Sequence, residues 1–564
     1  MIPTRTARGL LISALLLGLG ASVSVATAFA ATGTKGAARS EQAAVKEGGT
    51  LTIGVRWLDY IDPALTLPFV GGTGVSLVSR GLTDATCALL FRYPVAPPPI
   101  VRYNLVPEVA TGYPALSLDG KTYTFTIRSG YRFSTGAPVT AGSYAAAINR
   151  NLNPAMRSPA AQYLKDVVGA RAVQQGTAKT ASGVKAAGNR LIIRLTRRVP
   201  DLPARMTTPN FCPVPAGLAV DPEGVGAPLP GSGPYYVAEF VRGSRVVLER
   251  NRFYRGPRAH HLDRLVVRIG DEVATNTDKV EAGEVDVDLT VPLSRIWEVA
   301  AKHRVNKSQY FSIPSTAMFY VYMNTESPLF RNNVKLRQAV NFALDRTAIL
   351  AELGPPSFGT SADGYLPPGM PGSLDVHPFP LRHPDLEKAQ ALARGHTRSG
   401  KAVYYACNDV GLGCLKVAEI VQANMKAIGI DVEIKSAFPY TVKADKTSTR
   451  GEPFDLTDDR YDVPWVDPSQ YVNVLLDGRT IHATGNTNQS YFNSTHYNNL
   501  MDRAQRLTGR ARYEAYGKLA FDLAKNAAPM ATFISRNLRF FVSSRVGCVT
   551  AGAHDLDFAG LCLK

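Results

Sequence analysis

The chain has 564 residues, with 63 Lys and Arg against 46 Asp and Glu for a net charge of +17, and it is 45% hydrophobic and 19% charged. That length excludes a single small domain, and the ordinary balance of residues excludes both wholesale disorder and a multi-pass membrane protein. The basic excess is spread along the chain, densest from Arg242 to Arg264, so it reads as the solvated surface of an exported protein and not as a nucleic-acid footprint.

Arg5 and Arg8 precede an apolar run from Leu10 to Leu19, and Ala28-Phe29-Ala30 follows as an A-x-A cleavage site. Residues 1–30 therefore read as a Sec-type secretory signal, with an uncleaved N-terminal anchor as the alternative reading of the same run. No cysteine lies near the site, so there is no lipobox. Residues 31–48, rich in Ala, Gly, Lys, Glu and Ser, read as a flexible tether. The six cysteines are even in number in an exported chain, which favours disulfides. Cys407 and Cys414 flank one short loop and Cys548 and Cys562 another, so local closure favours those two bonds and leaves Cys87 with Cys212.

In chain order, Leu51, Ile53 and Val55 alternate as a first strand, and a loop through Tyr60 and Asp62 follows. Residues 121–128 alternate strictly, a hairpin turn is expected at Ser129-Gly130, and Thr140 is placed to N-cap a helix carrying Tyr144, Ile148 and Leu152. Gly231 and Gly233 suit a close approach to a strand over 237–240, and further strands are expected at 245–250 and 266–269, with a helix from about 274 to 283. Phe319, Val321 and Met323 then alternate with Tyr320, Tyr322 and Asn324 as a half-buried strand. After Pro328 the period changes: Val334, Leu336, Ala339, Val340, Ala343 and Leu344 fall on one helix face, with Arg337, Asn341 and Arg346 mainly elsewhere. Beyond 400, strands at 403–406 and 430–434 enclose a helix closed by Gly429, helices dominate 496–527, and 531–535 and 540–542 complete the chain.

The order, spacing and residue types of three segments carry a resemblance. They are 105–154, the string GPYYVAEFVRGSRVVLERNRFYRG with LDRLVVRI and EAGEVDVD, and FYVYMNTESPLFRNNVKLRQAVNFALDRTAIL. The chain resembles the extracytoplasmic solute-binding proteins of the oligopeptide/dipeptide-binding type over residues 49–546. The resemblance implies an α/β fold of the two-lobed, hinge-connected periplasmic-binding-protein type (type II, the large class with an extra subdomain). Lobe I would comprise 49–87, 207–309 and 525–564, with an inserted subdomain at 88–206, and lobe II would comprise 310–524. It further implies a monomeric, extracytoplasmic component of an ABC importer that captures peptides or a similar amine-containing solute and docks on a membrane permease. The alternatives are a binding protein for a glycan, opine or metal chelate, or a surface adhesion protein on the same scaffold.

No enzyme constellation competes, since the chain has neither a G-x-S-x-G elbow nor an H-E-x-x-H pair, and no cofactor or metal motif; Asp458-Asp459 reads as a solvated loop pair and His260-His261 as a surface pair. The segment FDLTDDRYDVPWVDPSQY supplies what a solute cleft needs. Tyr461, Trp465 and Tyr471 are stacking candidates, Asp462 and Asp467 charge anchors, and Arg460 a partner for a carboxylate. Tyr60, Asp62, Tyr322, Asn324, Asn408 and Asp409 are further cleft candidates. In peptide-binding relatives an aspartate of this segment holds the ligand's α-amino group. Counting back from the shared Asp467-Pro468 pair, Pro464 stands at that position, and Asp462 is the acid left to substitute for it.

Overall fold

A computed structural model of the chain describes residues 45–67, 74–409 and 413–564. The expected signal, the anchor alternative and most of the tether lie outside the described residues. Eleven strands form one mixed sheet among the described residues. In chain order they are β1 (Thr50–Val55), β2 (Tyr235–Val241), β3 (Arg245–Arg250), β4 (Arg264–Ile269), β5 (Val287–Asp288), β6 (Tyr310–Met323), β7 (Gly359–Ser361), β8 (Lys401–Cys407), β9 (Asp431–Phe438), β10 (Leu456–Tyr461) and β11 (Met530–Val542). Their spatial order is β9-β8-β10-β6-β11-β5-β1-β4-β3-β2, with β7 pairing on β11.

The centre of this sheet explains how the two halves are joined. β6 and β11 run antiparallel along one another for 14 and 13 residues. Tyr310 to Pro314 pair with 537–541, where β11 also meets β5, while Met318 to Tyr322 pair with 530–535 and, on the other side, with β10. The register slips between Pro314 and Met318. The irregularity places Ser315 and Thr316 where the strands pass from one half to the other, and local bulges of this kind re-aim side chains.

Separate cores pack on the halves. Leu51, Ile53, Leu265 and Phe540 pack with Phe558 and Leu561 of the C-terminal tail. Phe330, Leu336, Val340, Val421 and Leu456 form a second core. A small sheet of Ala115–Leu116, Thr122–Thr126, Arg190–Arg194 and Val184–Ala187 carries a third, with Phe125, Tyr144 and Leu191. A fourth is rich in tyrosine, from Tyr320 and Tyr322 to Tyr471 and Tyr516, and includes Tyr93 and Tyr103 from the first part of the chain.

Local expectations hold where the determinant is local. Thr140 and Ser143 form a capping box on the helix Ala141–Leu152. A Cβ on Gly233 would stand 2.7 Å from the backbone of Ala85 and Cys87, so the close approach there needs glycine. All three disulfides, Cys87–Cys212, Cys407–Cys414 and Cys548–Cys562, are formed.

Four expectations need correction. Tyr320 and Tyr322 are as buried as Val321, because Phe319, Val321 and Met323 enter one core and Tyr320 and Tyr322 another, and a strand covered on both sides loses its alternation. The helix after Pro328 ends at Ala343, and Asp345 caps a second helix, Arg346–Leu353, with Val334 exposed. Arg337, Asn341 and Arg346 are buried, donating to the carbonyls of Ala527, Met530 and Thr532 respectively. Residues 122–126 pair with 115–116 and 190–194 and form no hairpin at Ser129-Gly130.

Candidate functional site

The loop from Asp462 to Asp467 leaves β10 and leads into the helix Ser469–Leu476. Pro464 within the loop and Pro468 after it interrupt regular structure, and the loop is largely buried. Residues far earlier in the chain grip it. Arg80 donates to the Pro464 carbonyl at 2.5 Å, and the Val466 amide donates to the Tyr93 hydroxyl at 2.9 Å. The indole of Trp465 donates to Asp201 Oδ2 at 3.1 Å, with the Arg205 guanidinium over its ring at 5.2 Å and Tyr163 edge-on at 4.9 Å. Burial works against ionisation of Asp201, but Arg205 and Arg512 outweigh it and hold the carboxyl below its ordinary range. Beside Trp465 opens a cavity of about 500 Å³ between Tyr163, Asp201 and Arg205 on one side and Gln470, Asn473 and Arg512 on the other.

Behind the loop lies a shielded polar cluster. Asp462 Oδ1 accepts from the Thr316 hydroxyl and, at 2.8 Å, from the Val463 amide. Thr316 in turn meets His554 Nδ1 at 3.2 Å, and the Tyr93 ring stands edge-on to the His554 ring at 5.7 Å. Four buried polar atoms here have no hydrogen-bond partner: Tyr103 Oη, His554 Nε2, Arg460 Nε and Arg536 Nε. Burial pushes the Asp462 carboxyl up, against the Thr316 and Val463 hydrogen bonds and nearby Arg80 and Arg536. Burial, with Arg539 and Arg460 close by, pulls the Arg536 guanidinium down, and burial with Arg80 pulls the His554 imidazole well down.

The structure brings Arg460, Tyr461, Asp462 and Trp465 to this region. Arg460 lies over the Tyr440 ring at 5.2 Å, and Tyr461 packs edge-on to Tyr471 at 5.7 Å. Other expected cleft residues are engaged in the fold. Asp62 is a buried partner of Arg150 and caps residues 63–65. Asp467 pairs with buried Arg512 at 2.7 Å and with Ser469. Tyr322 packs inside the tyrosine core, and Asn324 bonds the Phe454 carbonyl at 2.9 Å. Tyr471 donates to the Thr316 carbonyl from a buried position. Tyr60 lies part-exposed under Arg242, and Asn408 and Asp409 are exposed at the end of β8. Residues 410–412 of the Cys407 to Cys414 loop lie outside the described residues. Asp458 and Asp459 are not a solvated loop pair: they are buried in β10, where Tyr404 and Tyr440 donate to them.

Arg80, Tyr93, Tyr103, Asp201, Arg205, Thr316, Arg536 and His554 were not legible as site residues. Each comes from a segment whose only local signal is structural, apart from His554, a histidine inside a tail closed by two cysteines.

The sequence model of the bacterial extracellular solute-binding proteins, family 5 Middle, matches residues 104–482. The periplasmic oligopeptide-binding protein OppA of Escherichia coli (strain K12) is 25% identical over 460 residues, covering 78% of this chain and 81% of its own. The probable deoxycholate-binding periplasmic protein YgiS of the same strain is 26% identical over 428 residues, covering 73% and 76%. A solved structure of clavulanic acid biosynthesis oligopeptide binding protein 2 superimposes with a TM-score of 0.79 at 22% identity, over 92% of this chain and 96% of that one. The fold is thus the two-lobed α/β fold of periplasmic binding proteins, and the matched proteins are binders, not enzymes. Among the described residues no helix is long and apolar enough to cross a membrane. The chain belongs to the bacterial extracellular solute-binding proteins of family 5.

Proposed function

We propose that the protein is the capture component of an ATP-driven importer, binding peptides or another amine-bearing solute between its lobes and delivering it to a membrane permease. One observation carries the choice of ligand: a buried acid and a buried base, Asp462 and Arg536, lie close enough to act on each other's charge. Asp462 supplies the acid. Arg536 is only 8% exposed and has no ion pair among the described residues. Asp462 is near enough to act on Arg536 but makes no contact pair with it, and a buried cation without a contacting carboxylate is costly, which a bound carboxylate would relieve. A zwitterionic solute satisfies both poles, its ammonium on Asp462 and its carboxylate on Arg536 or Arg460. The cavity beside Trp465 leaves room for hydrated side chains, which suits weak sequence preference.

On this reading Asp462 takes over the amine anchoring that relatives assign to the position of Pro464, whose carbonyl is instead bound to Arg80. Lobe I (49–87, 207–309 and 525–564) with its subdomain (88–206) closes on lobe II (310–524) by a hinge motion about β6 and β11. Tyr60, Asn408 and Asp409 line the rim. Export uses the Sec-type signal at 1–30, and the monomer works at the cell surface or in the surrounding medium.

Thermal-shift screening against di- to pentapeptides, bile acids, sugars and metal chelates tests the reading. A ligand at about 100 times its Kd stabilises by roughly 2.7 kcal/mol. Peptides are expected to raise the melting temperature; a shift with another class and none with peptides contradicts the proposal.

A further inference from the structure

The C-terminal tail is tied into a loop by the Cys548–Cys562 disulfide, across a sequence separation of 14. Its base packs into the first core through Phe558 and Leu561, and Ala551 bridges both Ala96 and Leu556. The tip of the loop therefore has a fixed position, and His554 is at that tip. We propose that His554 is a solute-reading residue of the interlobe site, its Nε2 accepting a hydrogen bond from a donor, such as an ammonium or amide N–H, on the bound solute.

The direction of that hydrogen bond follows from proton counting. Asp462 Oδ1 receives the Val463 amide at 2.8 Å and the Thr316 hydroxyl. In the ionised carboxylate that amine binding requires, Oδ1 can only accept, so the single hydroxyl proton of Thr316 is committed to Asp462. The contact of 3.2 Å between Thr316 Oγ1 and His554 Nδ1 must then be donated by the imidazole. In a neutral ring this fixes the Nδ1–H tautomer and leaves Nε2 as a bare acceptor. Burial keeps the ring neutral. Nε2 is itself shielded and has no partner in the fold. A shielded acceptor without a donor costs stability, which a donor on the solute would recover. Asp462 and His554 thus present two acceptors joined through one threonine, an arrangement that selects a ligand with several N–H donors over an acceptor-only ligand such as a carboxylate. Tyr93 supports the ring edge-on at 5.7 Å while its hydroxyl receives the Val466 amide at 2.9 Å, so the tail and the site loop share one buttress.

The assignment rests on the amine reading above, and the experiment separates the two. Protein labelled with 15N-histidine gives the tautomer of each ring from long-range 1H–15N spectra, with His554 assigned by its loss in His554→Phe and, should that variant not fold, in His554→Asn. The Nδ1–H form is expected, with the Nε2 shift moving on addition of trialanine. Calorimetry should show trialanine binding weakened roughly 10-fold or more in His554→Phe, the scale of one lost hydrogen bond to a charged donor. An Nε2–H tautomer, or equal trialanine affinity for native protein and variant, overturns the proposal. If trialanine does not bind native protein at all, the amine reading of the site falls, and the tautomer alone then decides the assignment of His554.

Discussion

Arg80 donates to the carbonyl of Pro464 across a sequence separation of 384 residues. The contact ties the helix Gly74–Thr86 to the loop after β10, and among the described residues no other donor competes for that prolyl carbonyl, which suits it to receive a cation. The Trp465–Asp201 bond at 3.1 Å and the Val466–Tyr93 bond at 2.9 Å reinforce it from either side. The three together make residues 464–466 the latch between the parts of the molecule.

Arg80→Met should therefore weaken closure more than folding. A hydrogen bond to a charged group contributes roughly 1.5–3 kcal/mol, so the radius of gyration from small-angle scattering should rise and affinity should fall about 10- to 100-fold. Unchanged scattering and affinity would show that the latch does not hold the closed form.

Asp62 and Arg150 pair with side chains 0% and 4% exposed. Removing one partner of a buried pair strands the other, at a cost of about 3–5 kcal/mol. Asp62→Ala should lower the unfolding free energy by that amount in guanidinium titrations while folded protein keeps its affinity. A loss of affinity without loss of stability would return Asp62 to the binding surface. Asp467→Ala, which strands Arg512, should behave in the same way.

How far the sequence discloses the molecule depends on the range of each determinant. β1 and β3 were legible to the residue because alternation and neighbouring turn residues specify them within six positions. Arg337, Asn341 and Arg346 were read only as lying off the apolar helix face, and their burial was not legible because the carbonyls that receive them lie in 527–532, nearly two hundred residues on. Asp62 resembled a rim acid for the same reason, its partner being 88 residues away. The stretch 460–467 was identified by composition alone, yet Thr316 and His554, which decide what Asp462 can do, reach it through a strand irregularity and a disulfide-held tail.

The three disulfides close spans of 125, 7 and 14 residues. Loop-closure entropy ranks their contributions at on the order of 5, 2 and 3 kcal/mol respectively. Paired Cys→Ser replacements should lose stability in that order in chemical denaturation, and denatured, unreduced protein should show no titratable thiol. Free thiols, or the greatest loss from the Cys407–Cys414 pair, would contradict the ranking.

Affinity for an amine ligand should depend on pH through Asp462. Its carboxyl must be ionised to pair with an ammonium, and burial raises it above the ordinary carboxylate value. Binding is thus lost as pH falls through that raised value, before an exposed carboxylate would titrate near about 4. Asp462→Asn should flatten the profile; an identical profile in the variant would assign the dependence to another group.

The most direct measurement is calorimetric titration of native protein and Asp462→Asn with trialanine and N-acetyl-trialanine. The site described predicts that native protein binds the free amine at least about 10-fold more tightly than the acetylated peptide, the scale of one charged hydrogen bond, and that Asp462→Asn removes the preference. Equal binding of the two peptides by native protein, or a preference that survives in Asp462→Asn, would contradict Asp462 as the anchor.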